Sequence, residues 1–445
     1  MFNTIRNAFH VPELRKKIWF TLVMMLVFRL GAHIPVPFLS KEAMQAFLGG
    51  GGADLFSLFN VFTGGAFANA TVMALGVSPY INASIIMQLL AVAIPALERL
   101  SKEGLEGRKK INKITRYVGI ILAFVQGAGL YITLHNMGVE NPALEVIKNE
   151  SVLTFFIITL TFTAGTAFVV WLGEQITEKG IGNGVSLIIF AGIISSIPSG
   201  AVMIYNQFLA SGVRSLGNIL IAAGILLIAI LAIVLVVFFD AAERRIPVQY
   251  AKRVVGRKMY GGQSTNIPIK VVMGGVMPII FASSIMAFPA TLVRLLSSGS
   301  LPQAGIWYKV LGCLTAGYGP AWTDAVYAVL YFLLIIFFTY FYSAIQFNPI
   351  EMANNMKKSG GYIPGYRPGK PTSDYIAKVA SRLNLTGAFF LGIIAVLPVI
   401  MGAAFGIQGI QIGGTSLLIM EGVALESVRQ IESQLVMRNY KGFLE

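Results

Sequence analysis

Apolar residues run along this chain in long unbroken blocks, unlike the alternation of a half-buried strand or the stripe of a soluble helix. Ten blocks come close to the roughly 20 residues that a helix needs to cross about 30 Å of hydrocarbon. They cover residues 18–34, 72–95, 117–137, 152–172, 185–204, 219–239, 271–292, 325–347, 385–401 and 413–428. The tenth is the least uniform, because Glu421 and Glu426 interrupt it. The pattern predicts an all-α integral membrane protein with ten transmembrane helices. Composition agrees: 56% of residues are hydrophobic and 12% charged, against about 25% charged in soluble domains.

Charge then orients the blocks. The chain carries a net +14, and 28 of its 34 Lys and Arg residues fall in the N-terminal tail or in alternate connections (98–116, 173–184, 240–270, 348–382 and 429–445). Cytoplasmic loops hold such an excess, so that side is read as the cytoplasm, with both termini there as an even number of spans requires. Arg15, Lys16 and Lys17 precede the first block as they would in a secretory signal. No small-residue cleavage site follows before Ile34-Pro35-Val36-Pro37, and the block is read as a retained span.

A boundary near residue 212 leaves five spans on each side, 1–211 and 212–445. Two halves with an odd number of spans run oppositely through the bilayer, and inverted repeats place a transport path at their interface. The symmetry rests on span counting; the halves share no strong sequence identity.

Two intramembrane features stand out. The stretch 54–67, DLFSLFNVFTGGAF, is apolar and aromatic but too short to span, and Gly64-Gly65 breaks it. It reads either as an ordinary surface helix or as a re-entrant stopper, since broken backbone at membrane depth survives only inside protein or beside a water-filled cavity. The spans also hold few ionisable groups, which argues against an ion-coupled carrier. Asn82, Ser84, Gln88, Ser283 and Ser284 are isolated polar positions, each more commonly a helix–helix hydrogen bond than a functional group.

The connections 240–270 and 348–382 are long, basic and punctuated by Gly and Pro, which suggests a docking platform for a large acidic or phosphate-rich partner. The glycine-rich GEQITEKGIGNGVS (173–186) lacks the Lys-Ser/Thr of a phosphate-binding loop. Cys313 is alone and His10, His33 and His135 are scattered, so no disulfide, metal or cofactor site is expected. No nucleophile–base or paired-acid constellation is present either. The chain reads as a non-enzyme.

Seven strings occur in order: ALGVSPYINASIIMQLL, EGRKKINKITRY, WLGEQITEKGIGNGVSLIIFAGI, YGGQSTNIPIKV, GVMPIIFASSI, FNPIEMANNMKKSGGYIPGYRPG and GGTSLLI. They resemble the signature segments of the SecY/Sec61-alpha family of protein-conducting channels, from about residue 14 to 441. The resemblance implies a bacterial plasma (inner) membrane channel that conducts unfolded preproteins across the bilayer and releases membrane segments sideways. Its waist would be a ring of Val77, Ile81, Ile189, Ile280, Ser284 and Ile419, an apolar constriction that dewets and blocks ions when closed. Its plug would be 54–67, with Asp54, Phe56, Phe59, Phe62, Gly64 and Gly65. The lateral gate would run beside Asn82, Gln88 and Ser283, between the second and seventh spans.

The resemblance further implies SecE and SecG as partner subunits, the SecA ATPase as motor, and the ribosome, signal peptides, preproteins and membrane lipid as further partners. Lys252, Arg253, Arg257 and Lys258 would meet ribosomal RNA phosphates, and Arg367 would serve motor-driven export. In one place the chain departs from the family. After GGTSLLI it reads Met420-Glu421-Gly422 where apolar residues are usual. Two residues past Ile419 is about 200° around a helix, so Glu421 points away from the ring, toward a partner subunit or a polar pocket. A small-solute secondary transporter, a membrane-embedded protease or an assembly scaffold would need, respectively, an intramembrane charge pair, a buried dyad, or no broken segment.

Overall fold

The computed structural model describes residues 6–441 except for 7, 43, 46–59, 141–145, 149, 210–215, 251–252, 256–257, 261–263, 297–304, 317–318 and 406–413. The helices are α1 (Pro12–Gly31), α2 (Ser78–Ala93), α3 (Pro95–Lys102), α4 (Leu105–Glu140), α5 (Val152–Lys179), α6 (Gly184–Ile204), α7 (Leu216–Ala241), α8 (Met277–Leu296), α9 (Ile306–Gly312), α10 (Ala321–Gln346), α11 (Pro349–Lys358), α12 (Lys370–Phe405) and α13 (Gly414–Lys441). All ten apolar blocks lie largely on helix. Among the described residues, six helices are long and apolar enough to cross a membrane, and α2 with α3 would make a seventh span, bent by 106°. The helix α13 fails on composition because it carries Glu421, Glu426 and Arg429 along its length.

Local chemistry explains most of the boundaries. The second block was expected to be helical from residue 72, but α2 begins at Ser78. The residues before it are folded into turns, and Gly76 sits at φ +54 with the Thr63 methyl against the position a Cβ would take. Only glycine adopts that backbone without strain. The same helix stops at Ile94 because Pro95, which opens α3, has no N–H to continue the ladder. Asn183 caps α6 by accepting from the N–H groups of Val185 and Ser186.

The glycine-rich segment between α5 and α6 is a tight interhelical turn. A Cβ on Gly184 would collide with the Gly173 carbonyl, so these glycines let the chain touch itself. The turn is tied outward by Thr21 Oγ1, which accepts from Ile181 N (3.1 Å), and by Gln430 Oε1, which accepts from Gly182 N (2.9 Å).

Helices α4, α5 and α6 pack in succession with α1 and α2 beside them, while α10 packs on both α8 and α12, and α13 on α7 and α12. The two groups meet where α6 touches α13 and α4 touches α8. The predicted boundary at 212 lies outside the described residues.

Residues 240–270 were expected to form a loop and instead carry a small sheet, an addition to the helical fold. Strands β1 (Glu243–Tyr250), β4 (Ser264–Lys270) and β5 (Gly361–Tyr362) pair antiparallel in the order β4-β1-β5, beside a hairpin of β2 (Arg253–Val255) and β3 (Lys258–Tyr260). Pairing sets Ile246 opposite Ile267. The buried Ile246, Val248 and Ile269 close over Met356 of α11 and Ile376 of α12. Pro247 is tolerated in β1 because β5 reaches only Gln249 and Tyr250, leaving that edge unpaired at the proline.

Candidate functional site: an apolar constriction and its surroundings

Five of the six residues assigned to the ring fall into one apolar cluster. Val77 precedes α2, Ile189 belongs to α6, Ile280 to α8 and Ile419 to α13; all four are buried, and Ile81 of α2 packs against them. Four separate helices therefore meet at these side chains. Ser284, one turn beyond Ile280, is half-buried. Bulky aliphatics from both helix groups thus pack into one apolar core at this point.

The same cluster contains Val61 and Ala66, with Phe62 packed against it. Val61, Phe62 and Ala66 of the proposed stopper thus share a core with the ring residues, while Phe67 packs into a separate cluster; Asp54, Phe56 and Phe59 lie outside the described residues. Helical residues 60–62 give way to turns through Gly64 (φ +66) and Gly65 (φ +85). Arg29 of α1 donates from Nη1 to the Gly64 carbonyl at 2.9 Å, and Ser196 of α6 reaches the Val61 carbonyl at 3.4 Å. A Cβ on Gly64 would strike Ser195 Oγ and the Arg29 guanidinium. This clasp was missed in the sequence, although an arginine inside an apolar span was a legible signal.

Beside the ring, Ile85 of α2 packs with Ile279, Ala282 and Met286 of α8 and with Phe338 and Tyr342 of α10 in a second apolar cluster. One strong polar contact crosses this seam: the Tyr342 hydroxyl donates to Gln88 Oε1 at 2.6 Å, while Gln88 Nε2 donates to Ser84 Oγ at 3.1 Å. Ser283 Oγ donates to the Ile280 carbonyl of its own helix at 2.9 Å. Asn82 is half-buried on α2. Of the three polar residues assigned to the gate, only Gln88 bridges the two groups of helices. No pattern in the sequence pointed to Tyr342.

Among the basic docking candidates, Arg253 and Lys258 sit in the β2–β3 hairpin, while Lys252 and Arg257 lie outside the described residues. Arg367 is exposed on a firmly built turn. Thr372 Oγ1 donates to its carbonyl at 2.8 Å, Gly365 (φ +88) and Gly369 (φ +109) bend the chain, and Tyr366 stacks on Tyr375 at 4.2 Å. A guanidinium held on a fixed turn meets a carboxylate or phosphate at a smaller entropic cost than a mobile one.

The model of the SecY family matches residues 71–428. The chain belongs to the SecY family. It is 46% identical to the protein translocase subunit SecY of Streptomyces galbus and 47% identical to that of Halalkalibacterium halodurans, over the full length of both chains in each case. Among solved structures it is similar to a protein-conducting channel (20% identity, TM-score 0.66) and to Sec61 in the canine ribosome–channel complex (19% identity, TM-score 0.64), each covering 97% of both chains. At that identity the structures speak for the fold, which is the helical membrane-channel fold of this family.

Proposed function

We propose that this chain is the channel-forming subunit of a protein translocase, a multi-pass bacterial membrane protein that moves polypeptides and performs no catalysis of its own. The observation that carries the reading is the apolar cluster in which Val77, Ile81, Ile189, Ile280 and Ile419 meet from four helices. Aliphatic side chains can mould around any passing sequence because dispersion contacts do not select one partner side chain. The two five-helix halves, 1–211 and 212–445, are the jaws on either side. Residues 54–67 are the stopper, clasped by Arg29, and the seam between α2 and α8 is the sideways exit for an apolar signal segment.

The basic tail and connections face the cytoplasm, and both termini lie there. The sheet, the β2–β3 hairpin and the Arg367 turn form the cytoplasmic platform for the ribosome and for a motor of the SecA type. SecE and SecG cover lipid-facing helices. Support for these partners comes from the family and from the basic character of the platform.

The test is crosslinking. The chain is reconstituted with family partner subunits, SecA and ATP, and a preprotein is stalled in transit. Photoreactive groups on that preprotein should react at Ile81, Ile189 and Ile280. Labelling confined to lipid-facing residues such as Leu226 and Leu227 of α7 would refute a central path. A small-solute transporter has no observation in its favour among the described residues.

A further inference from the structure

Glu421 resolves into a polar pocket. A cavity of about 290 Å³ lies between the apolar constriction and the β-sheet, lined by Asp240, Lys270, Met277, Leu418, Glu421 and Arg429 among others. Its lower wall is continuous with the ring, since Val276 and Met277 line it and pack against the ring cluster. Its upper wall is Lys270, at the end of β4, and Asp240, at the end of α7. The chamber therefore lies on the sheet side of the ring.

The charges in the wall do not balance. Asp240, Glu421 and Glu426 face Lys270 and Arg429. Arg429 is already engaged: Nη2 lies 2.9 Å from Asp240 Oδ2 and 3.2 Å from the Asp240 carbonyl. Lys270 is exposed. Glu421 is left over, only 8% exposed, and its Oε1 has no hydrogen-bond partner among the described residues. Gly422, whose Cβ would press on Val276, lets α13 approach α8 closely enough to hold the carboxyl at this depth. A buried carboxylate without a hydrogen-bond partner is costly, and beyond the through-space attraction of Arg429 it favours any further cation that reaches it.

We propose that this cavity is a binding site for basic side chains in transit: a lysine ammonium or arginine guanidinium of the passing polypeptide pairs with the Glu421 carboxylate before it crosses the ring. The inference rests on the translocation reading above. Physically, a bare cation meets its highest barrier on leaving water for a dry aliphatic constriction. A counter-charge placed just ahead of that step lowers the barrier for basic segments and does little for neutral ones.

The test uses the full chain with its partner subunits in proteoliposomes and two preproteins that differ in one early segment, three lysines in one and three glutamines in the other. The readout is the ratio of their translocation rates. Glu421→Gln should shift that ratio against the lysine substrate by about fivefold, the factor for about 1 kcal/mol; Glu421→Asp should retain the wild-type ratio. An unchanged ratio in Glu421→Gln, including equal slowing of both substrates, would overturn the proposal. So would a dependence on replacing potassium by N-methylglucamine that is lost in Glu421→Gln and identical for the two substrates, which would assign the cavity to an inorganic ion. If the wild type moved neither preprotein, the channel reading itself would fall, and this inference with it.

Discussion

On the channel reading proposed above, the Tyr342–Gln88 hydrogen bond helps to hold the seam between the two helix groups shut. Tyr342→Phe keeps the ring in its apolar cluster, where Tyr342 is 5% exposed and meets Phe281 edge-on at 5.0 Å. It removes only the hydroxyl, and with it the 2.6 Å bond to Gln88 Oε1. Gln88 keeps its bond to Ser84 but leaves its carbonyl oxygen unpaired. Such a neutral bond in a membrane protein is worth about 1 kcal/mol, so the open seam should become about fivefold more populated. A signal segment that must open the seam by reaching lipid then needs less apolar character. At about 0.5 kcal/mol per leucine on insertion scales, Tyr342→Phe should compensate for the loss of about two leucines. The assay is export of a preprotein series whose signal carries successive Leu→Ala replacements. The variant's threshold should lie about two leucines below wild type, and combining it with Gln88→Leu should add less than the separate effects sum to. Identical thresholds, or strict additivity, would refute a latch at this pair.

Three further outcomes are expected. Arg29→Met removes the guanidinium from the Gly64 carbonyl and should raise ion leakage through the resting channel in planar bilayers; unchanged conductance would remove the clasp. Arg367→Glu should abolish motor-driven protection of a preprotein while the chain still inserts in the membrane, since its side chain is exposed and no core contact is lost; normal export would cancel the assignment. Ile246→Ala opens a hole in the sheet core where Ile246 is 2% exposed, costing about 2–5 kcal/mol, and should make the connection 240–270 sensitive to protease before the helices unfold.

How far the sequence could be read differs by element. The long helices were plain because 18 or more apolar residues have few other solutions, and α7, an almost unbroken run of Ile, Leu, Val and Ala, needed no context at all. The start of α2 was misplaced because hydropathy is blind to backbone conformation, and the turns before Ser78 are as apolar as the helix. The sheet was overlooked for a different reason: its strands are short, and Arg244, Arg245 and two prolines mask the alternation of Ile246, Val248, Ile267 and Ile269. Of the site, the ring positions came from the family resemblance alone, since a buried isoleucine looks the same in a core and in a pore. Tyr342 and Asp240 became meaningful only when folding set them beside Gln88 and Arg429, 254 and 189 residues away in sequence. The departure at Glu421 was visible from the start, but the helical angle left a subunit and a pocket equally open, and only the cavity decided between them.

Because Val61 and Ala66 share one core with Ile189, Ile280 and Ile419, the channel reading makes the barrier against leakage out of the same contacts that fold the protein. Such contacts weaken as temperature falls. A resting membrane that houses this protein should therefore become more permeable in the cold, well before any helix melts, and tightness at low temperature would have to come from larger aliphatic side chains at these few positions.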